Sequence, residues 1–188
     1  MKRLVLFASG NGSNVEEIIN HFKKNGEAQI VAIFSNKKDA YVVVRAKNHN
    51  IPVYFFSREE LNNGWVLKKL DVINPDLIVL AGFLLQFPVS VLEKHPNVIN
   101  IHPSLLPKYG GKGMYGMHVH RAVLEAKEKE TGITIHYVNE HYDEGVYIFQ
   151  KAVSVELCTT AEAIAQKVHQ LEHLYFPDVI SKVLKSKF

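Results

Sequence analysis

Short apolar runs alternate along the chain with stretches whose apolar residues fall at helical spacing. Leu4 to Ala8, Ile30 to Ser35, Val53 to Phe56, Leu77 to Ala81 and Val98 to Ile101 show almost no polar alternation. Strands of that kind are buried on both faces, as in a parallel sheet covered by helices on each side. Between them, residues 13–24, 40–48, 62–73 and 88–95 carry an amphipathic helical pattern. The βαβαβαβαβ order predicts an open, doubly wound, mostly parallel α/β sheet with right-handed crossovers and helices on both faces. After Pro103 the pattern changes to a Gly-rich loop through Gly116, a helix near His118 to Lys127, and strands near Gly132 to Val138 and Val146 to Val155. A last helix is expected from about Thr160 to Lys187, kinked at Pro177.

Nothing interrupts this order, and 188 residues suit a single domain with a core of its own. The net charge, 22 basic minus 19 acidic residues or +3, forms no basic stripe, so nucleic acid is not the expected partner. The lone Cys158 excludes an internal disulfide framework and fits a reducing compartment, hence an expected cytoplasmic location. The opening Met1-Lys2-Arg3 precedes an apolar run too short for a secretory signal, broken at once by Gly10-Asn11-Gly12. No apolar run reaches the length of a membrane span.

Ligands of open α/β sheets bind beyond the carboxyl ends of the strands, which directs attention to the residues after each apolar run. Ser9-Gly10-Asn11-Gly12-Ser13-Asn14 opens a helix, and its free amides suit a phosphate. It reads equally as a plain strand-to-helix turn with Ser13 as the N-cap. It is not a dinucleotide fingerprint, because Val15 stands where the third Gly belongs and no acidic residue ends the second strand. Asn100 and His102 alternate with Ile99 and Ile101, so an amide and an imidazole project from one face of the fifth strand. Such a pair can stabilise an oxyanion and move a proton, the chemistry of acyl transfer. Asp143, in Tyr142-Asp143-Glu144-Gly145, reads either as a third member of that pair or as a turn Asp.

A different chemistry is spelled by His169-Gln170-Leu171-Glu172-His173, the H-x-x-E-H of some zinc peptidases. A zinc site needs a further ligand, and residues 174–188 offer no Glu and only Asp178. His118-Val119-His120 is likewise a metal pair without an evident partner. No metal is expected.

Taken together, these residues resemble the glycinamide ribonucleotide transformylase family of folate-dependent formyltransferases, nearly end to end. The resemblance is carried by the Ser9 to Asn14 loop, Ala81-Gly82-Phe83, Asn100-Ile101-His102-Pro103-Ser104-Leu105-Leu106-Pro107, Gly132 to Val138 followed by Asp143, and Glu172-His173 with Tyr175 and Pro177. It implies transfer of the formyl group of 10-formyltetrahydrofolate, a cosubstrate, to the amine of glycinamide ribonucleotide in purine biosynthesis. Asn100, His102 and Asp143 would be catalytic, and Gly12, Ser13, Asn14 and Glu172 would hold the ribonucleotide. Arg58, Leu84, Leu85, Gln86, Phe87, Asn139, Glu140, His141 and Tyr142, with Asn100 and Asp143, would line the folate pocket.

By the same resemblance, residues 1–103 form a ribonucleotide-phosphate half and 104–188 a folate and C-terminal helix half. The partners are then small molecules, and the chain is expected to be a monomer or homodimer. Asp143 beside His102 is expected to raise that imidazole above its ordinary pKa of about 6.5. Two departures stand out: Leu84-Leu85-Gln86 replaces a Met-Arg-containing segment of some members, and Gly110 to Gly116 is longer than the usual loop. Methionyl-tRNA formyltransferase and formyltetrahydrofolate hydrolase share Asn-x-His and Asp, but each has an added domain for which this chain is expected to have no room.

Overall fold

The computed structural model describes residues 1–186, in which the apolar runs become a seven-stranded sheet. β1 (Lys2–Phe7), β2 (Ala28–Ser35), β3 (Val53–Phe55), β4 (Leu77–Leu80) and β5 (Val98–His102) pair in parallel, while β6 (Glu130–Tyr137) and β7 (Tyr147–Ser154) continue the sheet antiparallel. The spatial order is β3-β2-β1-β4-β5-β6-β7.

Side-chain alternation divides the core between the two faces of the sheet. Leu4 and Leu6 of β1 pack with α1 (Ser13–Asn25), α2 (Val42–Asn48), α6 (Met117–Glu125) and α7 (Ala161–Ser186). Val5 and Phe7 face the opposite way, toward α3 (Arg58–Asn62), α4 (Trp65–Ile73) and α5 (Val89–Lys94). Both faces are therefore covered, which is why these strands lack polar positions. Strand order reverses between β1 and β4, and the carboxyl ends there open into a crevice.

Two local expectations are corrected. The helix expected over 62–73 starts only at Trp65, because Gly64 at φ 89 is the N-cap of α4, and Asn62 belongs to the separate α3. Ser57 caps α3 instead, through a capping box with Glu60. Ser13 is not the N-cap of α1. Gly12 holds that position at φ 74, where a Cβ would meet Val42 Cγ2 at 2.6 Å, and no side chain caps the helix. The first-turn amides are thereby left open toward the crevice. As expected, α7 continues past Pro177, which is buried within one helix of 26 residues. Lys187, the last expected helical residue, lies outside the described residues. Among the described residues, no helix is long and apolar enough to cross a membrane.

Candidate active site

The crevice has a volume of about 1010 Å³ and runs along the carboxyl ends of β1, β4 and β5. Parallel β5 delivers Asn100 and His102 to its wall, and the turn after β6 delivers Asp143, held at φ 58. Asp143 Oδ2 lies 3.4 Å from His102 Nδ1, and Asn100 Nδ2 lies 3.5 Å from Asp143 Oδ1. The three residues singled out in sequence thus meet. Gly111 N–H donates to Asp143 Oδ2 at 2.9 Å, and His102 Nε2–H donates to the carbonyl oxygen of Tyr109 at 2.7 Å.

A fourth side chain, His136, received no role from the sequence. Antiparallel pairing sets it directly opposite Asn100. Its Nδ1 donates to the Tyr137 carbonyl at 2.8 Å, so Nε2 accepts from Asn100 Nδ2 at 3.2 Å and orients that amide. Nε2 is also 3.6 Å from Asp143 Oδ1. The signal that could have found it was the β5–β6 register, which spacing in sequence does not give.

The electrostatics correct one expectation. Burial is the dominant influence on His102 and holds it below its ordinary pKa, against the upward pull of Asp143 and of the Tyr109 carbonyl. Asp143 goes the same way for the opposite reason. Burial would raise it, but His136, the charge of His102 and the Gly111 amide together hold its carboxyl below the usual range. The carboxylate is therefore secure, while His102 loses its proton readily.

At the other end of the crevice, Gly12, Ser13 and Asn14 open α1, and Glu172 reaches them from α7. Asn14 Nδ2 donates to Glu172 Oε2 at 3.0 Å, joining residues from the two halves of the chain. Burial raises the Glu172 carboxyl, and Asn14 and His169 only partly oppose it. Asn14 Oδ1, His120 Nδ1 and His173 Nε2 are buried without a hydrogen-bond partner in the protein. All three residues line this end, and buried polar atoms of that kind call for a ligand. Burial also depresses His120, to about 4, and His173. The H-x-x-E-H spelling resolves into this corner: His169 Nε2 stands 4.0 Å from Glu172 Oε2, whose carboxylate is engaged by Asn14. Among the described residues, no group of three His, Cys, Asp or Glu side chains is arranged to hold a metal ion.

Arg58, Leu84, Leu85, Gln86, Phe87, Asn139, His141 and Tyr142 also line the crevice. Phe87 is the buried floor, edge-on to Phe7 at 5.1 Å between ring centroids. Glu140 departs from the expectation: its side chain is exposed and outside the lining, and its contribution is a backbone carbonyl that accepts from Gln86 Nε2 at 2.7 Å. That bond ties the β4–α5 loop to the loop carrying Asp143.

With this geometry in view, the chain matches the formyl transferase family over residues 2–180, and it belongs to that family. The phosphoribosylglycinamide formyltransferase of Bacillus subtilis (strain 168) is 36% identical over 191 residues, covering 98% of this chain and 95% of that protein. The solved structure of the Bacillus halodurans phosphoribosylglycinamide formyltransferase superposes with a TM-score of 0.88 at 36% identity, covering 99% of this chain and 96% of that one. The branch these relatives mark out is that of the phosphoribosylglycinamide formyltransferases. A chloroplastic relative from Arabidopsis thaliana is 38% identical over 99% of this chain, which spans 66% of that protein's length. Against a second chloroplastic relative, from Vigna unguiculata, it spans 62%.

Proposed function

We propose that the crevice transfers the formyl group of 10-formyltetrahydrofolate to the primary amine of glycinamide ribonucleotide, a step of purine biosynthesis. The observation that carries this reading is the Asp143 carboxylate set between His102 and the Asn100–His136 pair, at the wall of a crevice whose far end offers unpaired amides and orphaned polar atoms. That far end suits a phosphate and ribose, held by the α1 amides of Gly12 to Asn14 and by Glu172. The apolar side near Phe87 suits a pterin. The first half of the chain supplies the phosphate turn, and the second supplies Asp143 and Glu172. The chain would work in solution, in the cytoplasm, as a monomer or homodimer.

In the reaction, the amine attacks the formyl carbon and an oxyanion and an ammonium develop together. Asn100 Nδ2 donates to the oxyanion, a contribution of about 2.7 to 4 kcal/mol for a donor so placed. Neutral His102, its Nε2–H already committed to Tyr109, takes the ammonium proton on Nδ1, and Asp143 supports the resulting cation. His102 then returns that proton to the departing folate nitrogen as the carbon–nitrogen bond breaks, leaving N-formylglycinamide ribonucleotide and tetrahydrofolate. Fixing both substrates in one crevice supplies about 7 to 11 kcal/mol more.

The test is direct: purified protein, both substrates, and detection of tetrahydrofolate and the formylated ribonucleotide in equal amounts. Tetrahydrofolate released with free formate in place of formylated ribonucleotide would replace this reading with hydrolysis.

A further inference from the structure

His102 is held at both ring nitrogens, and only one holder, Asp143, reaches it across the crevice. The other is the carbonyl of Tyr109, 2.7 Å from Nε2. Tyr109 sits at φ 56, a left-handed conformation that bulky side chains seldom adopt, so its surroundings must maintain it. The holder is Glu128. The Tyr109 hydroxyl donates to Glu128 Oε1 at 3.0 Å, and Lys108 Nζ donates to the same oxygen at 2.9 Å. Glu128 lies between α6 and β6, where its own N–H donates to the Val123 carbonyl at 3.2 Å. On either side of Tyr109 the turn is already fastened: Ser104 Oγ donates to the Lys108 carbonyl at 2.6 Å, and Gly111 N–H donates to Asp143 at 2.9 Å.

We propose that Glu128, which does not line the crevice, is a positioning residue for formyl transfer: by anchoring the Tyr109 ring it keeps the Tyr109 carbonyl on His102 Nε2 and so keeps Nδ1 turned toward Asp143. The inference rests on His102 acting in the transfer. Lys108 is a bystander, because its ammonium is 66% exposed and a surface ion pair of that kind contributes little. The Tyr109 hydroxyl is the part that transmits, since its ring packs against the core beneath the turn.

The test combines kinetics with a nuclear magnetic resonance titration of the His102 ring nitrogens. Glu128→Ala and Tyr109→Phe should each lower kcat roughly tenfold to a hundredfold, the scale of a modest misplacement, with both Michaelis constants unchanged. In each, His102 should titrate at lower pH than in the wild type. The Tyr109 carbonyl and Asp143 favour the protonated ring, whereas burial and His136 oppose it and His120 stands near enough to be affected in turn. The double variant should be no worse than either single one, because both remove the same bond. Glu128→Gln keeps an acceptor for the hydroxyl and should restore most of the rate, and Lys108→Ala should match the wild type.

Wild-type kcat and an unmoved His102 titration in Glu128→Ala would overturn the proposal, as would multiplying losses in the double variant. If Glu128→Ala does not fold, Tyr109→Phe and Glu128→Gln decide the question. A wild-type chain that transfers no formyl group would overturn the functional reading, and the His102 titration would still test the positioning.

Discussion

Asp143 presents one carboxylate to two imidazoles: Oδ2 lies 3.4 Å from His102 Nδ1 and Oδ1 lies 3.6 Å from His136 Nε2. Asn100 closes the circuit by donating toward His136 and Asp143. The arrangement gives the two imidazoles different tasks. His136 orients a neutral donor, and His102 moves a proton beside a fixed negative charge.

Asn100→Ala removes the donor to the oxyanion and leaves every charge near His102 in place. Turnover should fall about 10²- to 10³-fold, as for loss of one oxyanion donor, while the His102 titration stays close to the wild type. Steady-state kinetics with both substrates, paired with that titration, checks both halves of the expectation.

Glu172→Ala should act on one substrate. Its carboxylate is bonded to Asn14, where α1 opens onto the crevice. The Michaelis constant for the ribonucleotide should rise several times more than that for the folate. Equal increases would place Glu172 in a structural role only.

Gly12→Ala tests the phosphate turn. At φ 74 an alanine costs roughly 1–2 kcal/mol from the left-handed conformation alone. Its Cβ would also press on Val42 Cγ2 at 2.6 Å. The thermal midpoint should fall, and the rise that inorganic phosphate produces in the wild type should disappear. A phosphate-induced rise of wild-type size in the variant would argue against binding at this turn.

Acidification should destabilise the fold within a defined window. His120 is held down to about 4 by burial, and His102 and His173 are displaced in the same direction. The unfolded chain protonates these groups at about 6.5, so below that pH it binds protons the folded chain refuses, and stability falls until the folded groups titrate as well. Glu172, raised by burial, works the opposite way. Thermal midpoints should therefore drop between about pH 6.5 and pH 4, and His120→Gln should flatten part of that drop. A flat profile in the wild type would contradict the burial argument.

Much of the fold was legible because a parallel sheet covered on both sides demands runs such as Leu4 to Ala8 and Leu77 to Ala81, with no polar positions. The face shared by Asn100 and His102 was legible for the same reason, strand alternation being strictly local. What was lost depended on backbone conformation or on distant partners. Gly12 and Gly64 take left-handed conformations that set the starts of α1 and α4 without a side-chain cap. The role of His136 waits on the β5–β6 register, and the meeting of Asn14 with Glu172 waits on α7 packing over α1. The direction of the His102 pKa was misjudged because its partner was visible in sequence and its burial was not.

The central claim is that Asp143 supports a proton on His102 while the formyl group is transferred, and titrating His102 in the wild type and in Asp143→Asn tests it most directly. The His102 midpoint should lie below 6.5 in the wild type and fall further in Asp143→Asn, since the carboxylate is the main upward pull on it. Turnover at pH 7 should fall with it, by roughly the 10² to 10⁴ of a positioned acid–base group. An unmoved His102 midpoint in Asp143→Asn would show the two groups to be uncoupled and would contradict the account.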